Sequence, residues 1–316
     1  MDGLDAEILI VGDGLAGLTA ALFAARHGRR TVLLGGGLPG GPLISVTRID
    51  DFPGFPEGVP GYDLGPIVQE QALAAGADLR AGELAGLEPA GDGAWLARTA
   101  DGGSLRAGAV IVATGSAPRA LGVPGEERLV GHGISHCASC DGPLHRGATV
   151  GVVGGGDAGL QEALELAGHA GEVVVVERGP ALTGQAVYRS AVAGSPDIRV
   201  LTRTTVEEVL GGERVEGVRL HDAALGKTYE LALSGLFVYV GAAPRTGFLA
   251  GLLQLAVDGR VPTDDRLRCA LPGLFAAGDV RSGSVAQAVA AAGDGAAAAV
   301  AAHRYLDERA GGTTTP

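Results

Sequence analysis

The sequence predicts an α/β chain of two Rossmann-like three-layer domains, the second inserted in the first. Two observations predict this. A glycine turn of the form G-x-G-x-x-G occurs twice, each time after a short apolar run and before a helical stretch. Two proline-marked stretches, around Pro118 and Pro124 and around Pro244, separate the middle of the chain from its two ends. The boundaries expected from these marks are residues 1–117 with 246–316 for an outer domain, and 118–245 for an inserted one.

The elements follow in order. Ala6 to Val11 reads as a buried strand, and Gly12-Asp13-Gly14-Leu15-Ala16-Gly17 as the turn after it. A helix is expected from Leu15 to His27, closed by Gly28, and a second strand from Thr31 to Leu34. The pattern recurs with a strand at Thr149 to Val153 and the turn Gly154-Gly155-Gly156-Asp157-Ala158-Gly159. A helix from Asp157 to His169 and a strand from Glu172 to Val176 complete the second unit. Further buried strands are expected at Ala109 to Val112, Leu236 to Val240 and Leu274 to Ala277, each running into a glycine. The Ala-rich segment from Ala286 to Ala302, broken by Asp294 and two glycines, reads as a helix pair or one imperfect helix.

Composition bounds the possibilities. The chain has 316 residues, 46% of them hydrophobic, enough for two packed cores without disulfide staples. Its 55 glycines sit at strand ends and turns, where close backbone approach needs them. The formal charge of −12 argues against nucleic acid and anionic membrane as partners. Lys227 is the sole lysine, which a coding bias explains without function. The first residues are acidic, so no signal peptide is expected, and a cytoplasmic location is the expectation. No run of about 18 apolar residues escapes a charge or a glycine break, so no membrane span is expected.

Three segments carry chemistry. In the glycine turns, the backbone can approach a pyrophosphate lying at a helix N-terminus, where unpaired N–H groups favour an anion. The end of the following strand reads the ribose. In the first unit it is Leu34-Gly35, without an acid. In the second it is Glu177-Arg178, where a carboxylate suits a free 2′-hydroxyl and disfavours a 2′-phosphate. A solvated charge pair is the bland alternative. The third segment, Cys137-Ala138-Ser139-Cys140-Asp141-Gly142, spaces two thiols for a reducible disulfide, with Asp141 beside them to move a proton. Half of a zinc site is the competing interpretation, but only Cys269 and scattered histidines remain as further ligands, so no metal is expected. His136 is either a thiol-activating neighbour or a loop residue. Cys269, before the late strand, is expected to be a buried small hydrophobe.

In this order the motifs resemble the low-molecular-weight bacterial thioredoxin reductase family nearly end to end. Gly12 to Gly17, Val110 to Gly115, Ser135 to Gly142, Gly154 to Gly159 and Gly273-Leu274-Phe275-Ala276-Ala277-Gly278-Asp279-Val280 carry the resemblance. It implies FAD in the outer domain, held by Gly12, Gly14, Ala16, Gly17, Gly41, Asp51, Thr114, Gly115, Gly278, Asp279, Gln287 and Ala288. It also implies a pyridine nucleotide in the inserted domain at Gly154, Gly156, Gly159, Glu177 and Arg178. By the same resemblance, Cys140 faces the flavin, Cys137 attacks a partner's disulfide and Asp141 is the acid. Asp279 binds the ribityl chain, and Gln287 lies near the isoalloxazine. The partner implied is a thioredoxin-like protein or a small disulfide or dithiol, and the assembly a homodimer.

The chain departs from that family at three places. Where NADPH-linked members read His-Arg-Arg-x-x-x-Arg, this chain has Glu177-Arg178-Gly179-Pro180-Ala181-Leu182-Thr183, so two of three phosphate-clamping arginines are missing. Each charge-assisted bond contributes about 1.5–3 kcal/mol. The loss therefore lowers NADPH affinity by roughly 10²- to 10⁴-fold. A Glu there resembles NADH-linked relatives such as the alkyl hydroperoxide reductase flavoprotein, and NADH is the expected donor. Second, Gly-Gly-Gln-Leu appears as Gly40-Gly41-Pro42-Leu43. Third, an Asn is replaced by Asp51 before Phe52-Pro53-Gly54. The alternative is a relative independent of pyridine nucleotides, ferredoxin-linked or diflavin-linked, or a dithiol oxidase using oxygen, with the second site empty or holding a second flavin. A flavin-binding sensor without turnover is a third alternative, which the intact cysteine block speaks against.

Overall fold

The computed structural model describes residues 3–311. The chain divides into two compact units, residues 1–117 with 243–316, and residues 118–242.

In the outer unit, β1 (Ala6–Val11), α1 (Leu15–Arg26) and β2 (Thr31–Gly35) form a βαβ unit. α2 (Gly61–Ala74), β3 (Asp78–Ala81), β4 (Leu84–Pro89), β5 (Trp95–Thr99) and β6 (Ser104–Val112) follow. Both halves of β6 are used. Its start pairs antiparallel with β5, while its end lies parallel to β1. β7 (Ser116–Pro118) leads out of the unit.

The inserted unit holds α3 (Glu126–Leu129), β8 (Ile134–Ser135), α4 (Ala138–Asp141), β9 (Thr149–Val153), α5 (Asp157–Ala167), β10 (Glu172–Val176), α6 (Ala186–Gly194) and β11 (Ile198–Leu201). β12 (Thr204–Leu210), β13 (Gly217–Asp222) and β14 (Lys227–Ala232) make a separate antiparallel sheet. β15 (Gly235–Val238) returns to the parallel sheet, whose order is β11-β10-β9-β15-β8. β9, β10 and β15 are almost wholly buried runs of Val, Leu and Phe, as a parallel sheet covered on both faces requires.

The chain returns through β16 (Ala242–Pro244). In the outer unit, β17 (Leu274–Ala276) adds to β6 in parallel, giving the parallel order β3-β2-β1-β6-β17. α7 (Ala288–Arg309) is a single 22-residue helix, which decides between the two readings of the Ala-rich segment. Its small residues let it lie against α1. A Cβ on Gly295 would stand 3.0 Å from the Ala20 nitrogen and collide with the Ala16 carbonyl. Ala298, Ala299 and Ala302 are fully buried along the same face.

Arg29, just after α1, ties this layer to the sheet. Its guanidinium donates to Glu7 at 2.9 Å, to the His303 ring at 3.0 Å and to Asp307. Cys269 is half-buried beside the outer core rather than sealed in it, and burial pushes its thiol up to about 12.

Candidate functional site

In the first glycine turn each glycine has its own reason. Gly12 is left-handed (φ +111°), and a Cβ on it would run into the Ala113 carbonyl. On Gly17 a side chain would collide with the Gly12 carbonyl, so this glycine seats the helix on the turn. A Cβ on Gly14 would meet nothing within 4 Å. Gly14 is the N-cap of α1 and offers no side chain to it, and the first helical turn carries no acid. An open approach to uncapped N–H groups of a 12-residue helix suits a pyrophosphate. The residues present therefore fit FAD at this turn.

Neighbouring segments converge on it. A Cβ on Gly41 would stand 3.6 Å from the Gly14 Cα, and one on Gly278 (φ +75°) would stand 2.9 Å from the Ala16 methyl. Thr114 donates its hydroxyl to the Arg245 carbonyl at 2.7 Å, and Gly115 is left-handed at φ +62°. Asp279 accepts from the Ser284 hydroxyl at 2.7 Å. Asp51 stands at the exposed end of a loop whose base is closed by reciprocal Ile49–Val59 backbone bonds. Gln287 is the N-cap of α7, with Ala288 as its first residue.

Sequence reasoning missed the support of this region. Asp294 accepts from the Gly278 N–H at 3.0 Å and takes the Arg281 guanidinium at 2.8 Å, so it clamps the Gly278–Asp279 turn from α7. The signal was visible only as an acid interrupting an alanine run. Asp13 does similar work at the other end, accepting from the Gly37 N–H at 3.0 Å.

The second glycine turn repeats the backbone geometry. Gly154 is left-handed (φ +120°), and a Cβ on Gly159 would collide with its carbonyl. Its surroundings differ. Both Glu177 carboxylate oxygens already accept backbone N–H groups, from Gly155 at 2.7 Å and from Gly179 at 2.6 Å. The segment after β10 folds back over the turn, with Thr183 N–H on the Gly155 carbonyl at 2.8 Å. Asp157, in the first turn of α5, accepts from the Gln185 N–H at 2.6 Å. Arg178 is exposed. This turn thus carries two carboxylates where the first carries one, and Gly156 again provides no side-chain cap.

Cys137 and Cys140 form a disulfide. Cys137 is the N-cap of α4, and its sulfur accepts the Cys140 N–H at 3.2 Å. Cys137 is half-buried and Cys140 exposed. The Ser135 hydroxyl accepts the Cys137 N–H at 3.1 Å. His136 is turned to the sheet, where its Nδ1 contacts the Val238 carbonyl at 2.8 Å. Asp141 closes the turn through its N–H on the Cys137 carbonyl. Asp141 lines a cavity of about 820 Å³ together with Ser135, His145, Arg214 and Glu216. Burial lowers the His145 pKa and the Asp141 charge opposes that shift. Behind the turn, Glu162 on α5 accepts from the Ala138 N–H at 2.7 Å and from the Tyr239 hydroxyl at 2.9 Å. Neither Glu162 nor Tyr239 was singled out from sequence. Among the described residues, no group of three or more His, Cys, Asp or Glu could hold a metal. No helix among them is long and apolar enough to cross a membrane.

A disulfide of this kind, in one of two Rossmann-like units each with its own glycine turn, defines a nucleotide-linked disulfide oxidoreductase. The model of the pyridine nucleotide-disulphide oxidoreductase family matches residues 6–295. Over 303 residues the chain is 37% identical to the thioredoxin reductase of Treponema pallidum (strain Nichols), covering 96% of this chain and 98% of that one. It is 37% identical to the thioredoxin reductase of Mycolicibacterium smegmatis, over 96% of this chain and 97% of the relative. The crystal structure of Lactococcus lactis thioredoxin reductase superposes with a TM-score of 0.93 at 33% identity, covering 96% and 100% of the two chains. The chain belongs to the thioredoxin reductase family and is an FAD-dependent disulfide oxidoreductase.

Proposed function

We propose that the chain takes electrons from NADH and delivers them, through FAD and the Cys137–Cys140 disulfide, to a thioredoxin-like protein or a small disulfide. FAD, when bound, supplies the two-electron carrier between the nicotinamide and the cysteines. The outer unit holds it at Gly12, Gly14, Ala16, Gly17, Gly41, Asp51, Thr114, Gly115, Gly278, Asp279, Gln287 and Ala288. The inserted unit takes the nicotinamide nucleotide at Gly154, Gly156, Gly159, Glu177 and Arg178. Cys140 exchanges electrons with the flavin, Cys137 attacks the partner disulfide, and Asp141, at the wall of the cavity beside the turn, moves the proton. The relatives named thioredoxin reductase support a thioredoxin-like partner, and the family resemblance carries the expectation of a homodimer.

The observation that carries the choice of donor is the Glu177 carboxylate. It is held at the second glycine turn by two backbone N–H groups, where a 2′-phosphate bearing about two negative charges would be repelled. Arg178 alone remains of the cationic clamp that NADPH-linked relatives use. Each carboxylate oxygen keeps a second lone pair, so a ribose hydroxyl can still donate to Glu177.

Anaerobic stopped-flow mixing of the FAD-loaded enzyme with each nicotinamide tests this. NADH should bleach the flavin at micromolar to low-millimolar concentration, and NADPH should be slower by about 10²-fold or more. Changing Glu177→His, Gly179→Arg and Thr183→Arg together should reverse the preference. Failure of both nicotinamides to bleach a flavin that dithionite reduces would overturn the choice of NADH and leave the nucleotide-independent alternative.

A further inference from the structure

The carboxylate of Glu162 lies behind the disulfide and belongs to none of the nucleotide contacts. It sits in the middle of α5, whose N-terminus is the second glycine turn. One of its oxygens, Oε2, accepts from both the Ala138 N–H at 2.7 Å and the Tyr239 O–H at 2.9 Å. Ala138 is fully buried and is the residue directly after Cys137, so the bonded amide is the peptide that joins the two. Tyr239 in turn is fixed by the sheet. Its N–H donates to the Val153 carbonyl at 2.8 Å, and its Cβ stands 3.5 Å from where a Cβ on Gly154 would be. A single carboxylate oxygen therefore joins the disulfide turn to the strand end that backs the glycine turn.

We propose that Glu162 is a positioning residue of the disulfide site, and that its negative charge, applied through the Ala138 amide, holds Cys137 of the reduced pair toward its protonated thiol form. Two-electron reduction breaks the S–S bond and leaves two sulfurs that each take up a proton to become thiols. A carboxylate one peptide from Cys137 disfavours the thiolate and favours that uptake. Burial, with the Glu165 charge, holds the Glu162 pKa above the usual carboxylate value, and the Ala138 and Tyr239 bonds oppose that rise by favouring the ionised form. Burial and the Glu162 charge keep the Tyr239 hydroxyl protonated, so it remains a donor.

The elements packed against α5 carry the other titratable and charged groups of this region. On α5 itself are Asp157 and Glu165, the latter 3.8 Å from His169. The disulfide helix brings Asp141 and the two cysteines, and the end of β15 brings Tyr239. Tyr188 packs from α6, which also carries Arg189. Glu172 of β10 and Arg199 of β11 are paired with each other, and β9 presents Val150 and Val152. Glu162 is the one among these carboxylates bonded to the disulfide helix backbone within the described hydrogen bonds.

The test is the pH profile of thiol alkylation by iodoacetamide, in the fully reduced holoenzyme carrying Cys269→Ala. Glu162→Gln keeps an oxygen that can accept from Ala138 and Tyr239 but removes the charge. Its alkylation profile should move to lower pH by about one unit, with a rate near neutrality about tenfold faster. Tyr239→Phe removes the bond that favours the ionised carboxylate and should shift the profile the same way by less. Glu162→Ala should lose order in the turn and slow disulfide turnover, and Glu162→Gln should restore most of that loss. Superimposable profiles for Glu162→Gln and the parent protein would overturn the proposal. If Glu162→Gln does not fold, an unchanged profile for Tyr239→Phe overturns it equally.

Discussion

The two sulfurs of the disulfide are chemically alike but differently placed. The Cys137 sulfur accepts the Cys140 N–H and approaches the Ser139 hydroxyl at 3.4 Å, whereas Cys140 is exposed. The asymmetry predicts separable variants. Cys140→Ser should keep FAD bound and block electron transfer from reduced flavin to the cysteine pair. Cys137→Ser should leave a Cys140 thiolate as electron donor to oxidised flavin, seen as a long-wavelength absorption band in the visible spectrum. Full disulfide reductase activity in both variants would contradict the roles assigned here. The cysteine spacing was legible from the sequence because the two partners lie within one turn. Glu162 and Tyr239 were not, since they are 24 and 77 residues from the partners they bond and neither position carries a local pattern. Glu177 was legible as an acid at a strand end. Its two backbone bonds to Gly155 and Gly179 depend on how the following segment folds back, which no spacing encodes.

At the scale of elements, the strands and helices of both glycine-turn units follow the apolar runs to within about two residues, because buried parallel strands leave continuous Val, Ile and Leu signals. The packing of α1 on α7 was hidden. It rests on Gly295 and on alanines whose face the alanine-rich composition masks. Charge holds the same layer at its edge through Arg29, whose side chain is 11% exposed. Burial alone would raise the Glu7 carboxyl, but the Arg30 N–H and the Arg29 guanidinium together hold it below the usual value of 4.5. A depressed carboxyl stabilises the fold above its unfolded value, and that contribution is lost as pH falls through the folded value. Arg29→Ala should therefore destabilise the protein by about 1–3 kcal/mol at about pH 7, and by less at about pH 4 and below. Denaturant unfolding at both pH values checks this. An equal loss at both would show that the guanidinium acts by packing, not by charge.

Over the whole molecule, the proposed function places one two-electron centre in each unit: FAD in the outer one, the Cys137–Cys140 pair in the inserted one. The fit of the first glycine turn to a pyrophosphate and the disulfide itself support this proposed division. The most direct measurement is an anaerobic dithionite titration of the FAD-loaded protein, followed at the visible flavin maximum and run beside a variant in which both Cys137 and Cys140 are changed to Ser. The parent protein should take up twice as many electrons per flavin as the variant, the extra pair entering the disulfide. Equal uptake by the two proteins, with the disulfide still intact when the flavin is fully bleached, would contradict it.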